Sequence, residues 1–354
     1  MMTKRVRVLV VDDSALVRQA ISHGLNQDPS IEVVGQAVDA FMARDLIVRL
    51  RPDVVTLDVE MPRMNGVEFL RRLMPQYPLP VIMVSSQTRA GCRVTIEALE
   101  AGAVDFVTKP SGMGIGLEQM LVELREKVKI AAAVDVSHWR KRRDVLPRIV
   151  KRKPMTLNRT GDLLVAIGAS TGGTEATRKI LSQLPEGFPG IVITQHMPPG
   201  FTSMYAESLD RSCPLKVREA HNGDRVAPGQ VLLAPGGKHM RVVRRNGGGW
   251  EVVCREGELV SGHCPSVDVL FESVARAARA KAIGVILTGM GQDGADGLLA
   301  MARAGARTIG QDRQSCVVYG MPKVAHEKGA VQKLVPLANI PEVLVRLVAE
   351  GDHG

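Results

Sequence analysis

The sequence of 354 residues has few aromatic residues, few cysteines and no long apolar run. Aromatic residues make up 3% of the chain, which argues against the stacking platforms that bind single-stranded nucleic acid. The five cysteines form no Cys-x-x-Cys pair, which argues against a disulfide framework and against a zinc site. No apolar run approaches the roughly 18 to 20 residues of a membrane span, and the N-terminus lacks a signal-peptide pattern. We therefore predict a cytoplasmic protein that inserts into no membrane.

The formal net charge of +9 is concentrated in one segment of the chain. Residues 131–160 contain nine Lys or Arg and two Asp, a net charge of +7, so the other residues together carry +2. The length predicts about two domains, and the basic segment has prolines and no apolar periodicity. We therefore predict domains at 1–130 and 158–354, joined by a basic linker at 131–157. Charge confined to a linker does not indicate a nucleic-acid surface, and we predict no nucleic-acid partner.

The first 130 residues alternate strand-like and helix-like segments, which predicts a parallel α/β unit with five strands and five helices. Polar residues lie at the ends of its predicted strands. Asp12 and Asp13 end the first strand, Asp58 ends the third, Ser85 ends the fourth and Lys109 follows the fifth. The carboxyl ends of parallel strands meet at one edge, so these groups converge. Three adjacent carboxylates repel one another, which Mg²⁺ offsets. The alternative is that these strand ends emerge into solvent, where Asp and Lys are common.

Four segments of this unit, VDDS, LDVEMPRMNG, MVSS and DFVTKP, resemble the receiver domain of two-component response regulators. The resemblance covers residues 5–130 and implies a flavodoxin-like, five-stranded parallel sheet that is phosphorylated by a histidine kinase. It implies that Asp58 is the phosphoacceptor and that Asp12, Asp13 and Asp58 bind Mg²⁺. The switch residues that it implies are Ser85, Phe106 and Lys109. Phe106 is equally well explained as a plain core aromatic.

The C-terminal part opens with an apolar strand, LLVAIGAS, followed by a glycine-rich turn and a helical pattern. Ser170 lies in Gly168-Ala169-Ser170-Thr171-Gly172, which matches G-x-S-x-G, a turn in which glycines expose a nucleophilic hydroxyl. A glycine-rich nucleotide loop is one alternative, although neither G-x-G-x-x-G nor G-x-x-x-x-G-K-[ST] is present. A plain structural turn is another.

A nucleophilic serine needs a base and an acid that orients the base. His196 ends the next apolar strand, GIVITQH, and is the candidate base, although it also fits a core or rim histidine. Asp293 follows the strand AIGVILTG and is the candidate acid, with Asp296 as a nearby competitor. The chain order serine, histidine, acid differs from that of α/β-hydrolases. Three further histidines lie in a less regular region and are expected to be solvated loop residues: His221, His239 and His263.

The segments GASTGG, TQHMPPGFT, LLAPGGKHM, LTGMGQDGADG and residues 311–322 resemble the chemotaxis protein-glutamate methylesterase domain. Joined to a receiver, the whole chain resembles the CheB family. The resemblance implies a doubly wound, mainly parallel α/β esterase domain that acts in chemotactic adaptation. Its implied reactions are hydrolysis of glutamate methyl esters and deamidation of glutamines on chemoreceptors, with no cofactor for the esterase reaction.

Two further expectations accompany this interpretation. Backbone N–H groups near Thr171 and Met290 are the candidate oxyanion hole. The resemblance implies that the unphosphorylated receiver covers the catalytic face. The alternative to the methylesterase function is a non-enzymatic response regulator, whose output domain docks on a partner or binds a nucleotide.

Overall fold

The computed structural model describes residues 4–110, 115–137, 139 and 163–351. The chain divides into two compact units, residues 1–145 and 146–354. Of the basic linker predicted at 131–157, only 131–137 and 139 lie within the described residues, and the predicted domain borders stay a prediction. Among the residues that the structure describes, no helix is both long and apolar enough to cross a membrane.

The first unit is a five-stranded parallel sheet with the strand order β2-β1-β3-β4-β5. Its interior strands are mainly apolar because helices cover both faces of such a sheet. The strands are β1 (Val6–Val11), β2 (Ile31–Ala37), β3 (Val54–Asp58), β4 (Val81–Ser85) and β5 (Asp105–Thr108). The helices are α1 (Ala15–Asn26), α2 (Ala40–Leu50), α3 (Gly66–Gln76), α4 (Arg89–Ala101) and α5 (Ile115–Ala131). The predicted flavodoxin-like receiver fold is confirmed.

The helices of this unit begin where the sequence supplies capping side chains. Ser14, Asp39, Asn65 and Thr88 each accept a hydrogen bond from a backbone N–H in the first turn of the helix that follows. Such caps satisfy N–H groups that have no partner inside the helix. They fix the points at which the chain turns back after β1, β2, β3 and β4.

The second unit has a seven-stranded parallel sheet in the order β15-β14-β13-β6-β7-β10-β8, and an antiparallel sheet in the order β11-β12-β9. The parallel strands are β6 (Leu164–Ala169), β7 (Gly190–Gln195), β8 (Lys216–Glu219), β10 (Gln230–Leu233), β13 (Ala282–Ile286), β14 (Arg307–Gln311) and β15 (Lys333–Val335). The antiparallel strands are β9 (Arg225–Val226), β11 (His239–Arg244) and β12 (Trp250–Arg255). The helices are α6 (Gly173–Leu181), α7 (Phe201–Ser212), α8 (Val267–Ala277), α9 (Ala295–Arg303), α10 (Met321–Glu327) and α11 (Ile340–Gly351). The predicted doubly wound α/β domain is confirmed.

The strand order of the larger sheet reverses beside β6. Strand β7 and its successor β10 lie on one side of β6, and β13, β14 and β15 lie on the other. In open α/β sheets, a crevice forms at the carboxyl ends of the strands where the order reverses. The loops that follow β6, β7 and β13 therefore meet at one edge of the sheet.

Strand β6 packs closely against α8 because glycine leaves room for the helix. A Cβ atom on Gly168 would lie 2.1 Å from Cγ1 of Val267 and 3.1 Å from Cζ of Phe271. Val267 and Phe271 are fully buried. The close approach of α8 to the end of β6 therefore depends on glycine at position 168.

We expect Gly168→Ala to lower the free energy of unfolding by about 1–3 kcal/mol, because the added methyl group overpacks the core. The measurement is chemical denaturation of wild type, Gly168→Ala, Val267→Ala and the double variant. Val267→Ala removes the clashing methyl groups, so the double variant should be more stable than the sum of the single effects predicts. Additive effects would contradict this account of Gly168.

Candidate functional site

Ser170 lies immediately after β6, in a turn that backbone hydrogen bonds hold in place. Its N–H donates to the Thr288 carbonyl at 3.0 Å, and its carbonyl accepts from the Gly173 N–H at 2.7 Å. Gly172 has a φ of 76°, a left-handed conformation that favours glycine. The turn thus presents the Ser170 hydroxyl at the edge of the sheet, as the G-x-S-x-G pattern predicts.

The structure brings Ser170, His196 and Asp293 together, although they are distant in the sequence. Nδ1 of His196 lies 3.1 Å from Oγ of Ser170, and Nε2 lies 2.7 Å from Oδ2 of Asp293. A carboxylate only accepts hydrogen bonds, so Nε2 carries the proton and Nδ1 is free to accept from the serine hydroxyl. The two ring nitrogens have the reverse roles in the chymotrypsin triad. The side chains of His196 and Asp293 are 7% and 1% exposed.

The carboxylate of Asp293 is held at the N-terminus of α8. It accepts hydrogen bonds from the Ser266 hydroxyl at 2.7 Å and from the Val267 and Asp268 N–H groups at 2.7 and 3.0 Å. Burial alone would raise the pKa of Asp293, but the hydrogen bond from His196, the charge that His196 carries when protonated, and these N–H groups lower it to about 2. Asp293 is therefore ionised at neutral pH.

The competitor Asp296 lies outside this cluster. Its side chain is 63% exposed and pairs with Lys328 at 2.6 Å. Of the two acids that the sequence offers, the geometry places Asp293 beside His196.

Asp268 is a second buried carboxyl group beside Asp293. Burial raises its pKa to about 6, the Gly297 N–H lowers it, and the charge of Asp293 raises it. Its Oδ1 accepts the Gly297 N–H at 2.7 Å. Asp293, the member that faces His196, is therefore the more acidic carboxyl group of the pair.

Other buried polar residues that the sequence reasoning missed support the turn around Ser170. The Gln195 amide donates to the Ser170 carbonyl at 2.9 Å, and the Thr288 hydroxyl donates to the Thr171 carbonyl at 3.0 Å. Gln195 and Thr288 are 3% and 1% exposed. Gln195 immediately precedes His196 at the end of an apolar strand. A polar residue at the end of such a strand is the sequence signal that could have identified it.

The expectation that His239 is a solvated loop residue is wrong, whereas His263 lies in a turn and is half-buried. His239 lies in β11 and is 2% exposed; its Nε2 lies 2.8 Å from the Glu258 carbonyl. His263 stacks on the ring of His196. Only His221 of the three is highly exposed, with 77% of its side chain accessible. Local sequence could not show this difference, because β11 is buried by its packing against α8.

The two candidate oxyanion residues, Thr171 and Met290, flank the nucleophile. Thr171 follows Ser170 and is 7% exposed, whereas Met290 is 40% exposed. Met290 follows Gly289, where a Cβ atom would lie 2.7 Å from Cβ of Ser170. The backbone from Gly289 to Met290 therefore runs directly beside the serine, and an oxyanion role for both residues stays a prediction.

The first unit has its own polar cluster at the carboxyl edge of its sheet. Nζ of Lys109 lies 2.8 Å from Oδ2 of Asp12 and 2.9 Å from Oδ1 of Asp58. One carboxylate oxygen from each of Asp12, Asp13 and Asp58 lies within 4.8 Å of the others. Three converging carboxylates are hard oxygen donors, so the residues present fit Mg²⁺.

Asp58 is under electrostatic strain in this cluster. Burial raises its pKa to about 6, the charge of Lys109 lowers it, and the charge of Asp12 raises it. Burial alone would lower the pKa of Lys109, but the charges of Asp58 and Asp12 raise it above its usual value. A further positive charge near Asp58 would stabilise the ionised carboxylate.

The two other predicted switch residues of the receiver are buried. Ser85 is fully buried, and its hydroxyl accepts a hydrogen bond from the Thr95 hydroxyl at 2.6 Å. Phe106 is 4% exposed, and Nζ of Lys127 lies 5.4 Å from the centre of its ring. Ser85 lies near the acid cluster through the backbone, because its carbonyl accepts from the Lys109 N–H at 2.7 Å. Their switch roles stay a prediction.

An acid cluster at the edge of a five-stranded parallel sheet is typical of a phosphorylated receiver, and a serine, histidine and aspartate in hydrogen-bonded series are typical of a hydrolase. Two family models match the chain accordingly: response regulator receiver domain over residues 8–120, and CheB methylesterase over residues 165–344. The chain belongs to the CheB methylesterase family.

Relatives match this chain from end to end. A protein-glutamate methylesterase/protein-glutamine glutaminase of Syntrophotalea carbinolica is 58% identical over 351 residues, which is 99% of each chain. A protein of the same name, numbered 2, from Syntrophomonas wolfei is 52% identical over 98% of this chain and 99% of its own. The crystal structure of the Thermotoga maritima CheB methylesterase catalytic domain is 40% identical and has a TM-score of 0.51. It covers 52% of this chain and 98% of its own.

The raised pKa of Asp58 predicts a pH-dependent stability of the receiver. The folded pKa of about 6 exceeds the usual value of 3.8, so the folded state binds more protons between these values. Stability should therefore fall as the pH rises from about 4 to about 6, by roughly 1–3 kcal/mol. Calorimetry of the full chain without Mg²⁺ should show this loss in wild type. In Asp58→Asn the contribution should be absent; an equal pH slope in both proteins would refute it.

Proposed function

We propose that this protein is a phosphorylation-regulated serine hydrolase that removes methyl groups from glutamate esters on chemoreceptors and deamidates receptor glutamines. The observation that carries the proposal is the continuous hydrogen-bonded series from Ser170 through His196 to Asp293. The names of the end-to-end relatives supply the substrate class. Family membership and the site geometry thus support the same reaction type.

In the proposed mechanism, Oγ of Ser170 attacks the side-chain carbonyl of the substrate and forms a tetrahedral intermediate. Nδ1 of His196 takes the hydroxyl proton, and the ionised Asp293 stabilises the imidazolium that results. The backbone N–H groups of Thr171 and Met290 are proposed to donate to the developing oxyanion. An oxyanion-hole donor is worth about 3–4 kcal/mol of transition-state stabilisation.

The intermediate collapses when the bond to the leaving group breaks. His196 returns its proton to the leaving oxygen or nitrogen, which departs as methanol in the ester reaction or as ammonia in the glutamine reaction. Water then attacks the acyl-enzyme with His196 as the base, which releases a glutamate carboxylate and restores Ser170. The same three side chains serve both reactions, since ester and amide differ only in the leaving group.

In the receiver, Asp58 is proposed as the phosphoacceptor, with a chemotaxis histidine kinase as the phosphodonor. Asp12, Asp13 and Asp58 would hold Mg²⁺, which when bound neutralises negative charge at the acid cluster. Lys109 contacts Asp58 and is proposed to contact the added phosphoryl group. Ser85 and Phe106 are the proposed switch residues. We propose that the protein acts in the cytoplasm, since its proposed partners are a kinase and the cytoplasmic regions of receptors.

Two non-enzymatic alternatives remain distinguishable. An output domain that merely docks on a partner has no need of a hydroxyl at Ser170. A nucleotide-binding output domain would be stabilised by nucleotides in a thermal melt. The hydrogen bond between Ser170 and His196 favours the hydrolase, because neither alternative requires it.

We expect Ser170→Ala and His196→Ala to reduce hydrolysis by about 10⁵-fold or more, because nucleophile and base act as one unit. Asp293→Asn should reduce it by about 10⁴-fold, since it removes the charge that holds the imidazolium. The measurement is methanol release from carboxyl-methylated receptor, and ammonia release from receptor glutamines.

Asp296→Asn is the matched control, because it makes the same chemical change at the exposed acid three residues away. It should retain wild-type turnover. Near wild-type activity in Ser170→Ala would overturn the proposed function, and a greater loss in Asp296→Asn than in Asp293→Asn would exchange the two acids.

We propose that the unphosphorylated receiver covers the catalytic face and so restricts access to Ser170. Phosphorylation would then shift the population toward a form in which Ser170 is accessible. We expect a fragment that begins near Leu157 to be more active than the intact, unphosphorylated chain. A phosphoryl mimic should raise the activity of the intact chain toward that of the fragment, and should leave Asp58→Asn unchanged. The measurement compares these samples on one methylated substrate; a fragment slower than the intact chain would instead indicate direct activation.

A further inference from the structure

One face of the His196 ring is covered by a second imidazole. The ring centres of His196 and His263 are 3.6 Å apart, and their planes differ by 15°. At this separation the two rings are stacked in van der Waals contact. His263 belongs to the segment between β12 and α8, which the hydrolytic mechanism described above does not use.

The turn that carries His263 is fixed by its own hydrogen bonds. Val260 and His263 form a reciprocal backbone pair, with N–H to carbonyl distances of 3.1 and 3.0 Å. The Ser261 hydroxyl lies 3.4 Å from Oδ2 of Asp268, in the first turn of α8. The Gly237 N–H donates to the Cys264 carbonyl at 3.2 Å. His263 is therefore presented to His196 by a defined turn.

The buried residue His239 ties this segment to the same helix start that holds Asp293. Its Nδ1 accepts the Ser266 N–H at 3.2 Å, so its Nε2 carries the proton and donates to the Glu258 carbonyl at 2.8 Å. Ser266 in turn donates its hydroxyl to Asp293. One anchored segment thus positions both the acid and the stacked imidazole around His196.

This arrangement restricts a motion that the two hydrogen bonds of His196 leave open. Those bonds restrain the two nitrogen atoms of the ring, but they do not prevent the ring from tilting about the line that joins the two atoms. A parallel ring at van der Waals distance blocks tilting toward its own side and excludes water from that face. Proton transfer depends on alignment, and small misplacements reduce rates strongly.

We infer that His263 is a positioning residue, whose stacked ring keeps His196 aligned between Ser170 and Asp293. The inference rests on the proposed function only in taking Ser170 as the nucleophile and His196 as its base. A flat side chain is what the geometry demands at this position. Phenylalanine should therefore replace histidine better than a non-planar side chain of similar size.

The test measures how fast Ser170 is phosphonylated by a fluorophosphonate probe in the full-length chain, followed by mass spectrometry. The variants are His263→Phe, which keeps a flat ring, His263→Leu, which fills space without one, and His263→Ala. His326→Ala, at an exposed histidine on α10, is the matched control. Thermal melts establish that each protein is folded.

We expect His263→Leu and His263→Ala to lower the maximal labelling rate by about 10-fold, with little change in the half-saturating probe concentration. His263→Phe should stay within about 2-fold of wild type, because it preserves the stacked plane. His326→Ala should match wild type. Wild-type labelling in both His263→Leu and His263→Ala, or a loss in His263→Phe as large as in His263→Leu, would overturn the inference.

The labelling experiment distinguishes failure of this inference from failure of the proposed function. Because the probe needs only the serine and its base, the labelling comparison holds even if wild type releases no methanol from methylated receptor. Labelling that persists in Ser170→Ala would show that another residue reacts, which contradicts the site assignment itself and with it the role of His263.

Discussion

The catalytic half of the molecule depends on keeping one buried carboxylate ionised. Asp293 is 1% exposed, and an isolated charge at such depth is strongly unfavourable. The start of α8 resolves this by aiming a hydroxyl and two backbone N–H groups at the carboxylate, where the helix dipole also favours negative charge. His196 supplies the remaining hydrogen bond. The position of His196 is thus set by a helix that contributes no member of the Ser170, His196 and Asp293 series.

This constraint links the site to the packing beneath it. Helix α8 can reach Asp293 only if it lies close against β6, and Gly168 permits that approach. The same strand then delivers Ser170 at its end, on the side where the strand order reverses toward β13. The helix, the two strands and the glycine therefore form one unit. A change in the packing of α8 would move Asp293 relative to Ser170, even with the side chains of Ser170, His196 and Asp293 intact.

Much of the candidate site was predictable from the sequence, because polar residues at the ends of apolar strands can be recognised there. Asp58, Ser170 and His196 each follow an apolar run, and parallel strands bring such residues to one edge. Asp293 was harder to separate from Asp296, since both lie in one glycine-rich stretch and only the contact with α8 distinguishes them. The roles of His239 and His263 were missed for the same reason. The surroundings of His239 come from the antiparallel sheet and α8, and those of His263 include the ring of His196. Neither contact has a periodic signature in the sequence.

The two units use buried aspartates in opposite electrostatic ways. Asp293 accepts four hydrogen bonds, which lower its pKa to about 2 and leave its charge fully compensated. Asp58 faces Lys109 but also Asp12, and burial raises its pKa to about 6. A compensated carboxylate is suited to a constant task, because its charge does not change while a neighbour gains and loses a proton. An undercompensated one responds to any new charge placed beside it, which suits the cation binding and phosphorylation proposed for Asp58. The difference lies in the neighbours of each aspartate, since both are buried at the same kind of sheet edge.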